Sequence, residues 1–184
     1  EVPCYTFRYV PLMTELEAAN SWYWVSNTTV TSIMEGDVDS DALPEIVTCG
    51  HYYDGERKVA QLAVWDGLTL GLEHVTSWFW NSNTTINSVA IGDVDADGLV
   101  EIVTGGCYYD GVRNIAQLAV WNGPTLLPKN VTVWFWTGAT CIDCVAIGDI
   151  DSDGVIEITT AGHYYDGFRN VAQLVVWNGQ TLSL

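Results

Sequence analysis

The 184-residue chain repeats itself every 56 residues, and a fixed period constrains architecture more than any local pattern does. Gly36-Asp-Val-Asp-Ser-Asp41 returns as Gly92-Asp-Val-Asp-Ala-Asp97 and as Gly148-Asp-Ile-Asp-Ser-Asp153. Trp22-Tyr-Trp24 matches Trp78-Phe-Trp80 and Trp134-Phe-Trp136, and Tyr52-Tyr-Asp-Gly55 matches Tyr108-Tyr-Asp-Gly111 and Tyr164-Tyr-Asp-Gly167. Ala60-Gln-Leu62 with Trp65 recurs at Ala116 to Leu118 with Trp121 and at Ala172 to Leu174 with Trp177, so all nine Trp occupy repeat positions.

Inside a unit the apolar residues alternate with period two, in runs rich in Val, Ile, Thr and aromatics bounded by Gly, Asp and Asn, which is strand patterning. The middle unit gives four strands, roughly Ile86 to Ile91, Val100 to Gly106, Ile115 to Trp121 and Val131 to Trp136, and no segment has helical periodicity. In each Trp-x-Trp pair both indoles fall on one strand face, where a neighbouring sheet can cover them. The expected fold is all-β: β-propeller blades formed by three four-stranded antiparallel repeats of 56 residues, at about 20–75, 76–131 and 132–184. A linear solenoid is the weaker alternative. Residues 1–19 match the repeat poorly and form an N-terminal segment in which Tyr5 to Tyr9 reads as a degenerate strand.

Three blades leave open flanks, so the ring must be completed by another chain or by missing blades. Trp22 to Trp24 corresponds to a fourth strand without its first three, while the sequence ends after the third strand of its last unit. The expected partner is therefore another copy, joined through the Trp22–Trp24 strand in a closed ring or a head-to-tail polymer.

The most specific chemical motif is Asp93-x-Asp95-x-Asp97-Gly98-x-x-Glu101, repeated as Asp149-x-Asp151-x-Asp153-Gly154-x-x-Glu157 and, imperfectly, as Asp37-x-Asp39-x-Asp41-Ala42-x-x-Glu45. Hard carboxylate oxygens at alternate positions suit Ca²⁺, which takes six to eight oxygens, and the backbone carbonyls of Leu43, Leu99 and Val155 would add one ligand per loop. Without a cation the carboxylates repel. Ala42, where the turn requires positive φ, and Pro44 inside the loop make the Asp37 site the expected weaker one beside two strong sites.

These Asp-x-Asp-x-Asp-Gly-x-x-Glu loops between blade strands, over about residues 20–184, resemble the FG-GAP/VCBS repeats of integrin α-subunit propellers and related secreted proteins, some fungal lectins among them. The resemblance implies a calcium propeller in an extracellular adhesive or structural role. The Phe-Gly…Gly-Ala-Pro signature of that family is not evident, so only the metal positions carry over.

Charge narrows the partners further. Six basic against 23 acidic residues give a net charge of −17, which lacks the basic footprint for nucleic acid and repels an anionic membrane. Glu1-Val-Pro-Cys4 has neither an initiator Met nor a basic leader, as expected of a mature or excised product. Sequons at Asn27, Asn83 and Asn130 and five Cys suit an extracellular or cell-surface protein. Cys141 and Cys144 are open to a local disulfide or to separate bonds with other Cys such as Cys4.

Arg57, Arg113 and Arg169, each after an Asp-Gly turn, are expected to pair with acidic neighbours rather than to recognise an anion. His51 and His163 lack a recurring second ligand, and His74 lies outside the repeated motifs. Catalysis needs differently tuned groups converging on one atom, whereas nearly every polar residue here occurs in triplicate, so an enzyme is not expected. The alternatives are a carbohydrate-binding lectin using exposed Tyr or Trp and, more remotely, a calcium-dependent polysaccharide lyase or glycosidase.

Overall fold

A computed structural model describes residues 18–183. These residues form three antiparallel sheets and no helix. The first contains β1 (Thr28–Gly36), β2 (Glu45–Tyr53), β3 (Lys58–Asp66) and β4 (Leu72–Trp78) in that spatial order. The second contains β5 (Thr84–Gly92), β6 (Glu101–Tyr109), β7 (Asn114–Asn122) and β8 (Pro128–Trp134), and the third β9 (Thr140–Gly148), β10 (Glu157–Tyr165) and β11 (Asn170–Asn178). The third sheet has three strands among the described residues, so the expected four-stranded repeat is met in the first two sheets and not in the third, whose sequence stops after its third strand.

Each sheet is a meander whose connections are set by turn chemistry. Between β2 and β3, Asp54 Oδ1 accepts the backbone N–H groups of Glu56 and Arg57 at 2.8 and 2.9 Å while Gly55 takes φ 107°. Asp110 with Gly111 and Asp166 with Gly167 repeat this arrangement. Successive sheets pack face to face. Val47, Leu62 and Val64 of the first meet Ile86, Val89 and Trp121 of the second, whose opposite face, with Val103, Leu118 and Val120, meets Ile142, Ile158 and Trp177 of the third.

A β-bulge at the same point of each first strand positions the joint between sheets. The register shifts around Thr31 in β1, Asn87 in β5 and Asp143 in β9. Thr31 Oγ1 donates to the Ile86 carbonyl at 2.6 Å and Asn87 Nδ2 to the Ile142 carbonyl at 2.7 Å, each across a joint. Asp143 cannot donate, and its Oδ2 instead lies 2.8 Å from His163 Nδ1. Beside each bulge the neighbouring strand needs glycine, because a Cβ at Gly50, Gly106 or Gly162 would collide with the carbonyl oxygen of Thr29, Thr85 or Cys141.

The repeated tryptophans form the rest of the joint. Trp78 stacks on Trp121 with centroids 4.6 Å apart, and Trp134 on Trp177 at 4.7 Å. The buried indoles of Trp65, Trp121 and Trp177 donate to Thr48, Thr104 and Thr160 at 2.8, 2.9 and 3.0 Å, so burial leaves no orphaned N–H there. The fourth strands end at Trp78 and Trp134, so Trp80 and Trp136 lie just beyond them, yet both still reach the following sheet, beside Tyr108 and Tyr164.

Two expectations are refined. Among the described residues Trp22 to Trp24 makes no strand ladder, only a bridge between Trp24 and Ser26. Trp22 nonetheless stacks on Trp65 at 4.4 Å, as its counterparts do on Trp121 and Trp177. The Tyr5–Tyr9 strand and Cys4 lie outside the described residues.

The cysteines do not pair locally. Cys107 of β6 is bonded to Cys141 of β9, with Cα atoms 5.1 Å apart, which ties the second sheet to the third. At a sequence separation of 34 the constraint on the unfolded chain is worth about 3–4 kcal/mol on the chain-entropy account. Cys49, buried in the first joint, and exposed Cys144 are free. Burial pushes the Cys49 thiol up to about 11, which keeps it protonated and unreactive at neutral pH.

Candidate metal loops

The three acidic loops connect the first two strands of each sheet and share one internal geometry. In the second, Asp93 accepts the N–H groups of Asp97 and Gly98 at 3.1 and 3.0 Å, Asp97 Oδ1 accepts Leu99 N–H at 2.8 Å, and Glu101 Oε2 reaches back to Val94 N–H at 3.0 Å. The third loop repeats this with Asp149, Asp153 and Gly154, Val155, and Glu157 to Ile150 N–H at 2.9 Å. The first does so with Asp37, Asp41 and Ala42, Leu43, and Glu45 to Val38 N–H at 2.8 Å.

The sharp turn lies where the sequence places it. Gly98 and Gly154 take φ 86° and 89°, and Ala42 is held at φ 73° at the corresponding position. An L-residue with a Cβ is strained there by roughly 1–2 kcal/mol, so the first loop keeps its shape at a cost the other two escape.

Carboxylate oxygens converge within 4.8 Å of one another in three groups: Asp37, Asp39 and Asp41; Asp93, Asp95 and Glu101; and Asp149, Asp151 and Glu157. Asp97, Asp153 and Glu45 fall outside these tightest groups although they belong to the same loops. An all-oxygen set with no sulfur or imidazole is the donor chemistry of a hard cation, so the residues fit calcium. Glu45 and Glu101 are buried. Burial first, and then Asp39, Glu73 and Asp41, raise the Glu45 carboxyl above the usual range, although its bond from Val38 lowers it. That is the electrostatic condition a divalent cation relieves.

The loops also belong to the joints. Val38 and Val94, the second residues of the first two loops, are each 1% exposed, seated on Gly123 and Gly179 in the turns that leave β7 and β11 of the following sheet. Gln180 Nε2 adds a bond to the Asp95 carbonyl at 3.1 Å. Rigidity in a loop is thereby passed to the contact between two sheets.

Other expected groups resolve more modestly. Arg57 pairs with Asp54 at 3.5 Å and meets Glu56, and Arg169 pairs with Asp166 at 3.5 Å. What residue types alone did not suggest is that Arg57 also covers the Phe79 ring at 4.4 Å and Arg113 the Phe135 ring at 4.7 Å. A fixed spacing of 22 residues from each Arg to its Phe was the available signal.

Among the described residues no helix is long and apolar enough to cross a membrane. No protein-family model and no curated protein matches the chain, so any reading of its role rests on its own residues.

Proposed function

We propose that the chain is an extracellular, calcium-stabilised β-propeller module whose sheets act as blades and which assembles head to tail with further copies of itself, in a structural or adhesive role. One observation carries this reading: among the described residues, the two outer faces left open are the two halves of the joint that is made twice inside the chain. Leu174 is 70% exposed on the third sheet, where Leu62 and Leu118 at the same repeat position are 0% exposed against the next sheet. Ile33 is 61% exposed on β1, where Val89 is 3% exposed. Ile150 of the third loop is 57% exposed, in contrast to Val38 and Val94.

A surface that is the donor half of a joint at one end and the acceptor half at the other is heterologous, and such contacts build rings or open filaments. The Trp22–Trp65 stack supports the same direction of assembly, since it repeats inside one chain what Trp78 and Trp134 do between sheets. Calcium in the Asp37, Asp93 and Asp149 loops would stiffen these joints, with the Asp37 loop weaker than the Asp149 loop because of Ala42 and Pro44. The disulfide and the exposed Asn27 and Asn83 sequons fit an oxidising, extracellular compartment.

Sedimentation velocity over a wide concentration range tests the proposal. With calcium present the expected result is a species of two or more chains that shifts toward smaller mass in EDTA. A single-chain mass at every concentration, with calcium and without, overturns it.

A second reading, glycan binding, is favoured by a repeated aromatic ledge. Half-exposed Trp80 and Trp136 sit beside Tyr108 and Tyr164, with centroids 5.4 and 6.2 Å apart, at the entrance to clefts also lined by the Trp78–Trp121 and Trp134–Trp177 stacks. A glycan-array signal that disappears in Trp136→Ala is the expected result of that reading, and a blank array excludes it.

A further inference from the structure

The second acidic loop already contains a cation. Lys129, in β8 and one of only two Lys in the chain, places its ammonium 2.6 Å from Asp95 Oδ2, 2.8 Å from Asp97 Oδ2 and 2.9 Å from Glu101 Oε1. The Glu101 side chain is fully buried, and a buried carboxylate must have a partner of opposite charge or lose its ionisation.

The repeat makes this an individual feature of one loop. The position of Lys129 in β8 is that of Glu73 in β4, an exposed carboxylate in place of the ammonium. The first loop therefore faces an added negative charge where the second receives a positive one. The third sheet has no fourth strand among the described residues, so its loop has neither.

An ammonium can neutralise clustered carboxylates and donate to three of their oxygens, which is part of what a divalent ion does. It cannot gather the six to eight oxygens that calcium takes. We propose that Lys129 is the resident counter-ion of the Asp93–Glu101 loop, holding it closed without metal, so that calcium enters only by displacing the ammonium and binds there more weakly than in the third loop. The inference rests on the calcium reading of the loops and reorders their strengths. It places the metal-independent loop at the same joint as the Cys107–Cys141 bond.

The test is calorimetric calcium titration of the whole chain beside Lys129→Met and Lys129→Gln, with thermal melts of all three in EDTA. In both variants the Asp93–Glu101 site is expected to tighten about tenfold or more, because a competing charge at contact distance has gone. Both are also expected to melt below the parent in EDTA and to recover with calcium. Unchanged affinities together with unchanged EDTA melting overturn the proposal. So do neutral variants that fail to fold even at millimolar calcium, since the metal should replace the missing counter-ion. Should no loop of any of the three proteins bind calcium, the calcium reading itself fails and the EDTA melts alone decide: a drop in the variants supports Lys129 as the closing charge, and no drop overturns it.

Discussion

Removing calcium is expected to cost the folded chain about 2.7 kcal/mol for every loop filled at a hundredfold excess over its dissociation constant, and so about 5 kcal/mol for two such loops. The physical source is the clustering of Asp37, Asp39 and Asp41 and of Asp149, Asp151 and Glu157. Each set concentrates negative charge in the folded chain and is dispersed in the unfolded one. Denaturant unfolding followed in calcium and in EDTA measures the difference, and coincident transitions would remove calcium as a stabiliser. The dependence on pH has a definite sign. Glu45 and Glu73 titrate above the usual carboxylate range in the metal-free fold, so the folded state binds more protons than the unfolded chain as pH rises through those raised values. Their contribution becomes progressively less favourable toward neutral pH. The stabilisation by calcium should accordingly be larger at pH 7 than at mildly acidic pH.

Trp121→Ala is expected to destabilise by about 3–5 kcal/mol, the usual range for deleting a large buried aromatic side chain. For a chain of this length that lowers the thermal midpoint by roughly 6–20 °C. Three losses coincide at this site: the stack on Trp78, the apolar burial that joins the first sheet to the second, and the indole N–H bond that satisfies buried Thr104. Differential scanning calorimetry reads the shift. Trp80→Ala supplies the contrast, because Trp80 lies past the end of β4 and is 39% exposed. A Trp121→Ala midpoint no lower than that of Trp80→Ala would mean that the joint is not what holds the sheets together.

Much of this organisation was readable from the chain. The period and the turn motif predicted the sheets and the positive φ at Ala42, because alternation and turn chemistry act within a few residues of one another, whereas the strand placement expected of Trp22, Trp24, Trp80 and Trp136 was not met. Contacts between sheets were less legible. Strand alternation says which face a residue occupies but not which residue of the next sheet it meets, so the partner of Cys141 depended on how the bulge at Asp143 sets β9 against β6. Lys129 was invisible for a related reason. It lies outside the acidic motif, and its repeat counterpart has the opposite charge, so repetition itself hid it.

The disulfide also makes two nearly identical joints mechanically unequal. Among the described residues a covalent bond spans only the second and third sheets, whereas the first and second are held by packing, the Thr31 hydrogen bond and the Trp78 stack. Transient separation is therefore expected to begin at the seam without that bond, and Cys49 sits inside it. The chain carries its own breathing gauge: a thiol silent in the closed state, whose rate of alkylation counts how often the first sheet lifts away.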